Sequence, residues 1–495
     1  MSLKPLKSAA QIRSLGAVRS RVKPMAGRIT MTGIALVAVV AAATAPALAS
    51  GAAKGQPQPE MYAFTVNGGG GTGDGSGVTL ADGTLVLASI SPARKKVIVC
   101  MLHPGDRTCA STTYLAPYHK GTNIDTFNST TVEALTTGGK DVSIVTSDCC
   151  NIPPFSGDAV IFDSTNDGKS FSKEIAAGNI SGVGAGTVAD GMLIVGTYNS
   201  SSLGVQAFPF HPTSPVTSSA TPNSRPDGNT ALTNYKGGVL VASDDTSGNT
   251  LVEYAASGSN FNSSGSYKKI IMVSHEDLTG ISGNALMTNP GGSLTHGERL
   301  RFLTGTSFGT WHKVPEPTNG DDSYFALQKV GGVVHVFFIN RRHGYDVYSE
   351  TTPDGVHWSP LTIYNPAVVS AWLVPVLNSI GSGVCFESDG TPLRAQPIML
   401  PQSIKISLAH SKVKIGTKTG LKGTAYPRLK GQYVALQRLS SGSWYYVSST
   451  SESASGTFSF TVPGASHTYR AKVADRPGYY QIGYSNSATL TATKK

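Results

Sequence analysis

The sequence predicts an all-β protein: a β-propeller, with seven blades by count or six plus an irregular unit, followed by a β-sandwich. Three observations carry this. A short unit of apolar strand, glycine turn and apolar strand recurs about every 50 residues. Two hairpins share one Asp-Gly turn template. From residue 402 acids nearly vanish and a new series of short strands begins. After the first 50 residues no long stretch carries the 3.6-residue period of a helix.

The N-terminus has the marks of a targeting segment. Residues 1–32 carry seven Lys or Arg and no acid, Gly33 to Ala43 is apolar, and Ala47-Leu48-Ala49 is a small-x-small cleavage site. The apolar run is short for a membrane helix and ends at Pro46. Residues 1–49 are therefore expected to be a signal peptide, with Met25 or Met31 as other possible starts. The mature protein is expected to be secreted or surface-associated outside a bacterial cell, without a membrane span.

Residues 50–60 form a Gly/Pro/Gln linker, and Met61 to Val66 reads as a strand that could complete the last blade. The glycine-rich run Asn67 to Gly77 lacks the Gly-Lys-Ser/Thr and following helix of a phosphate cradle, so it reads as a flexible loop. Repeats are then centred on Gly83, Gly139, Gly191, Gly237, Gly292, Gly332 and Gly381, spaced by 56, 52, 46, 55, 40 and 49 residues. The unit at Gly292, A-L-M-T-N-P-G-G-S-L, is the least regular. Each unit supplies the inner hairpin of a four-stranded blade, and the propeller spans 61–401. In the outer strands, Val347, Ser349 and Thr351 alternate with Tyr348 and Glu350, a half-buried pattern.

Residues 402–495 contain runs such as S-I-K-I-S-L, Q-Y-V-A-L-Q-R-L and G-T-F-S-F-T-V. They amount to seven or so strands over about 95 residues, as in an Ig-like or fibronectin-like sandwich. Charge divides along the same boundary. Of 40 basic residues, seven lie in the leader and 13 in the tail, against none and two of the 30 acids. That leaves 20 basic and 28 acidic residues in 50–401, an acidic body with a basic tail. Outside a cell such a tail meets anionic envelope polymers or lipid headgroups, and not nucleic acid; an evenly basic soluble surface is the alternative.

Five cysteines are exported into an oxidising compartment: Cys100, Cys109, Cys149, Cys150 and Cys385. Cys100 and Cys109 flank the turn Pro104-Gly105-Asp106 and suit a hairpin disulfide. A vicinal Cys149–Cys150 bridge and one bond to Cys385 both stay open. No Cys-x-x-Cys or His pair suggests a metal, and no cofactor is implied.

The template hairpins run from Val160 to Phe171 and from Val347 to Trp358; a degraded copy runs from Gly305 to Trp311. They resemble the Asp-box (BNR) repeat of sialidase-type propellers, Ser-x-Asp-x-Gly-x-Thr-Trp. Ser164, Gly168, Ser170 and Phe171 match in the first copy, and Thr351, Gly355 and Trp358 in the second. Asn166 and Pro353 hold the Asp position, while Asp167 and Asp354 sit one place later. The resemblance implies structural boxes on the outer hairpins, away from an active site. The tail resembles the Ig-like sandwiches ending many secreted actinobacterial proteins, through Tyr433 to Arg438, Gly442-Ser443-Trp444, Gly456-Thr457-Phe458 and Tyr469-Arg470-Ala471.

A sialidase grips its substrate carboxylate with three arginines, because guanidinium pairs bidentately with a carboxylate, and adds a Tyr-Glu pair and an Asp. Between 61 and 401 there are eight arginines, and the Phe/Tyr-Arg-Ile-Pro motif is absent. Arg341, Arg342, Tyr345, Asp346 and Glu350 form the candidate catalytic cluster, against the plain reading of a solvated turn. Gly305-Thr306-Ser307-Phe308-Gly309 fits a serine-hydrolase elbow in letters only, since no helix follows. His275-Glu276-Asp277 lacks the second histidine of a zinc protease. Trp311, Trp358 and Trp372 are the aromatics that could meet a sugar. The expected function is a non-catalytic envelope protein binding a glycan or protein partner. A sialidase-like exo-glycosidase and an adhesion or scaffold protein are the alternatives.

Overall fold

The computed structural model describes residues 64–67, 71–116, 127, 131–147, 158–172, 175–179, 183–199, 202–211, 219–220, 226–245, 249–256, 267–274, 276–290, 297–315, 322–340, 346–364, 373–387, 392–426, 428–476 and 479–494. The chain is all-β. After β1 (Phe64–Asn67), the strands build one antiparallel sheet after another. Sheet 1 is β2 to β5 (Thr72–Thr79, Leu85–Ile90, Val97–Leu102, Ser111–Leu115). Sheet 2 is β6 to β9 (Glu133–Leu135, Val142–Ser147, Asp158–Ser164, Ile175–Asn179). Sheet 3 is β10 to β13 (Val183–Ala189, Met192–Asn199, Ser202–Pro209, Ser219–Ala220). Sheet 4 is β14 to β17 (Pro226–Tyr235, Gly238–Asp245, Asn249–Ala255, Tyr267–Ser274). Sheet 5 is β18 to β22 (Glu276–Ser282, Ala285–Pro290, Arg299–Thr304, Ser307–Phe308, His312–Lys313). Sheet 6 is β23 to β26 (Asp322–Val330, Val333–Asn340, Asp346–Thr352, Thr362–Tyr364). Sheet 7 is β27 to β29 (Leu373–Leu377, Gly383–Glu387, Leu393–Ile398), and its fourth strand is β1, paired antiparallel to β29 with Phe64 opposite Ala395.

The first strands of successive sheets lie against one another, β2 on β6, β6 on β10 and so on to β27, which returns to β2. Each neighbouring pair of sheets encloses its own apolar cluster, including Val86 with Ile144, Leu240 with Leu286, Met287 with Phe338, Phe337 with Cys385, and Leu87 with Phe386. Sheets are thus covered on both faces, and β3, β4 and β7 are buried at every residue. This explains the unbroken apolar run of β4, V-I-V-C-M-L, and the burial even of Ser89 and Ser143 in β3 and β7. It also corrects the half-buried reading of β25: Ser349 and Glu350 are buried, because neighbouring sheets cover both sides of the strand.

Two further expectations change. The fifth hairpin turns at Gly283, where Ser282 pairs with Ala285, and A-L-M-T-N-P is its second strand. Turn glycines 237, 283 and 332 are then 46 and 49 residues apart, a more even period than one centred on Gly292. Gly292 itself lies outside the described residues. The glycine-rich run is not all loop either, since Thr72–Thr79 is β2. A Cβ on Gly77 would collide with Val376 of sheet 7, and one on Gly280 would fall 2.6 Å from Leu327 of sheet 6. Glycine at these points lets first strands approach closely.

Turns also link sheet to sheet at one end. The Ala81 amide donates to the Gly139 carbonyl (3.3 Å), and Asn234 Nδ2 to the Val188 carbonyl (2.9 Å). The Gly283 amide donates to Thr233 Oγ1, the Lys329 amide to Ser282 Oγ and the Leu377 amide to Gln328 Oε1, each at 2.9 Å.

The described residues of the tail form nine strands: β30 (Ser403–Leu408), β31 (Lys412–Lys414), β32 (Lys418–Tyr426), β33 (Tyr433–Ser440), β34 (Ser443–Ser451), β35 (Thr457–Pro463), β36 (His467–Val473), β37 (Gly483–Tyr484) and β38 (Ala488–Thr493). One sheet runs β30-β32-β35 and the other β31-β38-β36-β33-β34, with β37 on β36. Leu421, Phe458, Leu436, Tyr469 and Leu490 fill the space between them. Here alternation does mean one wet face: β35 reads exposed, buried, exposed along its length. The tail is pinned to the ring. The Leu400 amide donates to the Tyr479 carbonyl (2.9 Å), the Gln481 amide to the Leu400 carbonyl (3.0 Å), and Gln481 Nε2 to the Met399 carbonyl (2.9 Å).

Candidate functional site

The two template hairpins join third and fourth strands, β8 to β9 and β25 to β26, and their side chains are spent on the turn itself. In sheet 2, Ser164 Oγ accepts from the Gly168 amide (2.9 Å), and Asn166 Oδ1 accepts from the Ser170 amide (3.0 Å). In sheet 6 the hydroxyl in that role belongs to Thr352, not Thr351: Thr352 Oγ1 accepts from the Gly355 amide at 2.7 Å. Asp354 Oδ1 accepts from the amides of Val356 (2.9 Å) and His357 (2.8 Å). Thr351 instead exchanges backbone-centred bonds with Ser359, as Asp163 does with Ser172. The second copy is therefore one residue shorter. Asp354 matches Asn166, and Asp167, at φ 63°, is the extra residue of the first copy.

The bonds from the His357 amide and ring, and from the Val356 amide, hold the Asp354 carboxyl well below the usual range. Gly168 and Gly355 take φ of 74° and 78°. Trp358 Nε1 donates to the Gly355 carbonyl (2.9 Å), and Phe171 and Trp358 pack on the cores beneath. A Cβ on Gly355 would meet the His312 ring at 2.9 Å, so this turn also rests on the preceding sheet. Asn166 and Asp354 stay at the surface, and their oxygens are taken up by the backbone of their own turns.

Of the candidate catalytic cluster, Arg341, Arg342 and Tyr345 lie outside the described residues, and Asp346 is described only as backbone. Glu350 sits on the third strand of sheet 6 facing sheet 5, 6% exposed. Its Oε2 has no hydrogen-bond partner, and burial pushes its carboxyl up to about 7. On the opposite face of the same sheet His335 is also 6% exposed, and burial draws its imidazole down to about 4. Both groups lie within inter-sheet packing.

A constellation that the sequence did not suggest joins sheets 2 and 3. Ser143 Oγ donates to Asp163 Oδ1, while His211 Nδ1 lies 3.6 Å from Asp163 and Nε2 3.4 Å from Asp141. Burial raises the Asp163 carboxyl. The serine bonds the carboxylate and not the imidazole, and Ser143 is fully buried, so its hydroxyl is not presented as a nucleophile. Ser307, of the elbow-like motif, lies in the short strand β21.

The Cys100–Cys109 disulfide is present and closes the third-to-fourth hairpin of sheet 1, beside the seam where sheets 1 and 7 meet. Cys385 is a free thiol buried between sheets 6 and 7, so the bond to Cys385 does not form. Its burial raises the thiol above its usual range. Cys149 and Cys150, like Trp372, lie outside the described residues.

The disulfide-closed hairpin also walls a cavity of about 340 Å³. Phe64, Leu85, Leu102, Val384 and Met399 give it an apolar wall. His103, Asp106, Arg107, Asn378 and Asp475 supply polar groups, Asp475 coming from the tail. Asp106 Oδ2 accepts from the His103 amide (2.9 Å) and lies 3.1 Å from its Nδ1, which shapes the rim. Gly83 also lines it, beside the Tyr479 hydroxyl. None of these residues stands out in sequence, because the cavity is assembled from both ends of the ring and the tail.

No family model matches the chain, and neither does any curated protein. Among solved structures it is similar to a bifunctional GH43-CE protein of Bacteroides eggerthii, with TM-score 0.29 and 10% identity over 86% of this chain. The chain spans 59% of that protein's length. It is also similar to a tetra-tandem repeat in the extending region of a large adhesion protein, with TM-score 0.17 and 13% identity, covering 85% of this chain and 99% of that one. At scores this low, neither likeness says what this chain binds or catalyses.

Proposed function

We propose that the chain is an exported seven-bladed β-propeller with an Ig-like tail, acting at the cell envelope as a non-catalytic glycan-binding protein. The seven sheets, closed by β1 and with their first strands in cyclic contact, support the propeller reading. The disulfide, and the lack of a helix apolar enough to cross a membrane among the described residues, are compatible with export.

The observation that carries the binding function is the cavity at the junction of ring and tail. Ligand sites favour such junctions and combine an apolar wall with a few polar groups. A sugar ring has that same division, with C–H faces and hydroxyl edges. The cavity holds one arginine, Arg107, where a sialidase-type clamp uses three. Its two carboxylates, Asp106 and Asp475, are the pair a hydrolase would use. A glycan array read with wild type, Arg107→Ala and Asp475→Ala, alongside a fluorogenic glycoside assay, tests the reading. The expected result is retention of a glycan by wild type, loss in both variants and no turnover. Turnover abolished by Asp475→Ala would establish the hydrolase instead, and an array blank for wild type would remove the glycan.

A further inference from the structure

The larger tail sheet carries a surface that its own fold does not use. Strand pairing places Gln437 opposite both Arg470 and Tyr446, Leu439 opposite Trp444, and Lys472 opposite Tyr484. Leu436, Tyr469 and Ala471 point into the core, so these neighbours share the outer face. There the Arg470 guanidinium lies between two rings, 4.3 Å from the Trp444 centroid and 4.3 Å from that of Tyr484. Its Nε donates to Gln437 Oε1 at 2.8 Å. Tyr446 extends the band and is 61% exposed. Its hydroxyl donates to Ser449 Oγ at 3.2 Å. Hydroxyls flank the band, with Thr468 and Thr489 bonded at 3.1 Å.

We propose that this band of Trp444, Tyr446, Arg470 and Tyr484 is a binding surface for a linear, carboxylate-bearing polysaccharide. Flat, exposed aromatics stack on apolar ring faces and still accept polar edges. The planes of Arg470 are covered and its Nε is engaged, so its terminal nitrogens remain as edge donors in the fixed fork that matches a carboxylate. Lys472 adds a second cation beside it. No acid competes on this face: Glu452 is buried and accepts from the Leu429 amide, and Asp475 lines the cavity. The flanking hydroxyls suit sugar hydroxyls better than acyl chains, which favours a polysaccharide over a membrane. This gives residues to the tail's share of the envelope reading and needs nothing from the cavity.

The test uses the full mature chain with soluble polygalacturonate, neutral dextran, and vesicles of anionic lipid. Polygalacturonate is expected to bind and weaken with salt, while dextran and vesicles bind little. Trp444→Ala and Arg470→Ala each lower binding about tenfold or more, as for central aromatic and arginine anchors. Tyr446→Ala lowers it about threefold with an unchanged melting temperature, because its ring is exposed. Arg107→Ala, in the cavity, leaves polygalacturonate binding intact, so the two sites fail separately. Wild-type binding by both Trp444→Ala and Tyr446→Ala would overturn the proposal. So would retention on vesicles without retention on polygalacturonate, or dimerisation through β34 that masks the face.

Discussion

Glu350→Gln should change how stability depends on pH, and the sign follows from burial. In the folded chain the Glu350 carboxyl titrates at about 7, against an ordinary 4.5. Between those values the folded state keeps a proton that the unfolded state has released. Stability therefore falls as pH rises, by about 3 kcal/mol across the window, at ~1.4 kcal/mol per pH unit. His335 acts oppositely. Its imidazole titrates at about 4 when folded, against 6.5. Its contribution is present above 6.5 and is lost, again by about 3 kcal/mol, as pH falls to 4. From pH 4.5 to 6.5 the two slopes cancel in the wild type. Glu350→Gln keeps only the histidine term, so its stability should rise by about 3 kcal/mol from pH 4.5 to 6.5. At pH 8 it should exceed wild type by a similar margin, since the glutamine stands in for the protonated acid. His335→Gln should show the mirror image. Urea unfolding at pH 4.5, 6.5 and 8 measures this. Equal slopes in wild type and Glu350→Gln would refute the buried, unpaired carboxyl.

Other outcomes follow from the fold. Replacing Cys100 and Cys109 together by serine should cost about 2–3 kcal/mol, the loop-closure value for a separation of nine residues, read from the denaturation midpoint. Thr352→Val should cost about 1–2 kcal/mol, because the amides of Asp354 and Gly355 lose their acceptor. Thr351→Val should be nearly neutral in the same unfolding assay, and a larger loss there would restore Thr351 to the turn. Gly280→Ala should lower stability by about 1–3 kcal/mol through the Leu327 contact, and the companion Leu327→Ala should relieve part of that loss.

Local patterns revealed the strands because each first-to-second hairpin turns on glycine between apolar runs, as at Gly83, Gly191 and Gly332. The tail was readable for a different reason: one wet face keeps its alternation clean. The fifth unit was misplaced because A-L-M-T-N-P imitates the first strand T-A-L-T-N-Y of the fourth, although it forms a second strand. The run 67–77 reads as loop because its glycines answer a neighbour far along the chain, Val376 for Gly77. Glu350 was read on a half-buried strand and in a candidate cluster for the same cause, since the sheet that covers it is not in its own segment. The cavity was hidden most completely. Phe64, Asp106, Asn378 and Asp475 share no spacing, and only closure of the ring brings them together.

That closure also fixes an order of events. Phe64 pairs with Ala395, a partner 331 positions later. A chain made or threaded from its N-terminus presents β1 before the other strands of the seven sheets and its mate β29 after all of them. Six sheets can assemble from neighbours in sequence, but the seventh waits for almost the whole ring to emerge. Until then β1 is an unmated edge, open to pairing with another copy. Such a long-range pairing makes the final step slow. A chain cut short before Leu393 would hold the apolar halves of its seam, Val66, Leu87 and Phe386, without the strand that joins them. Quality control in this protein is therefore concentrated at one joint, which a chain can shut only once β29 has emerged.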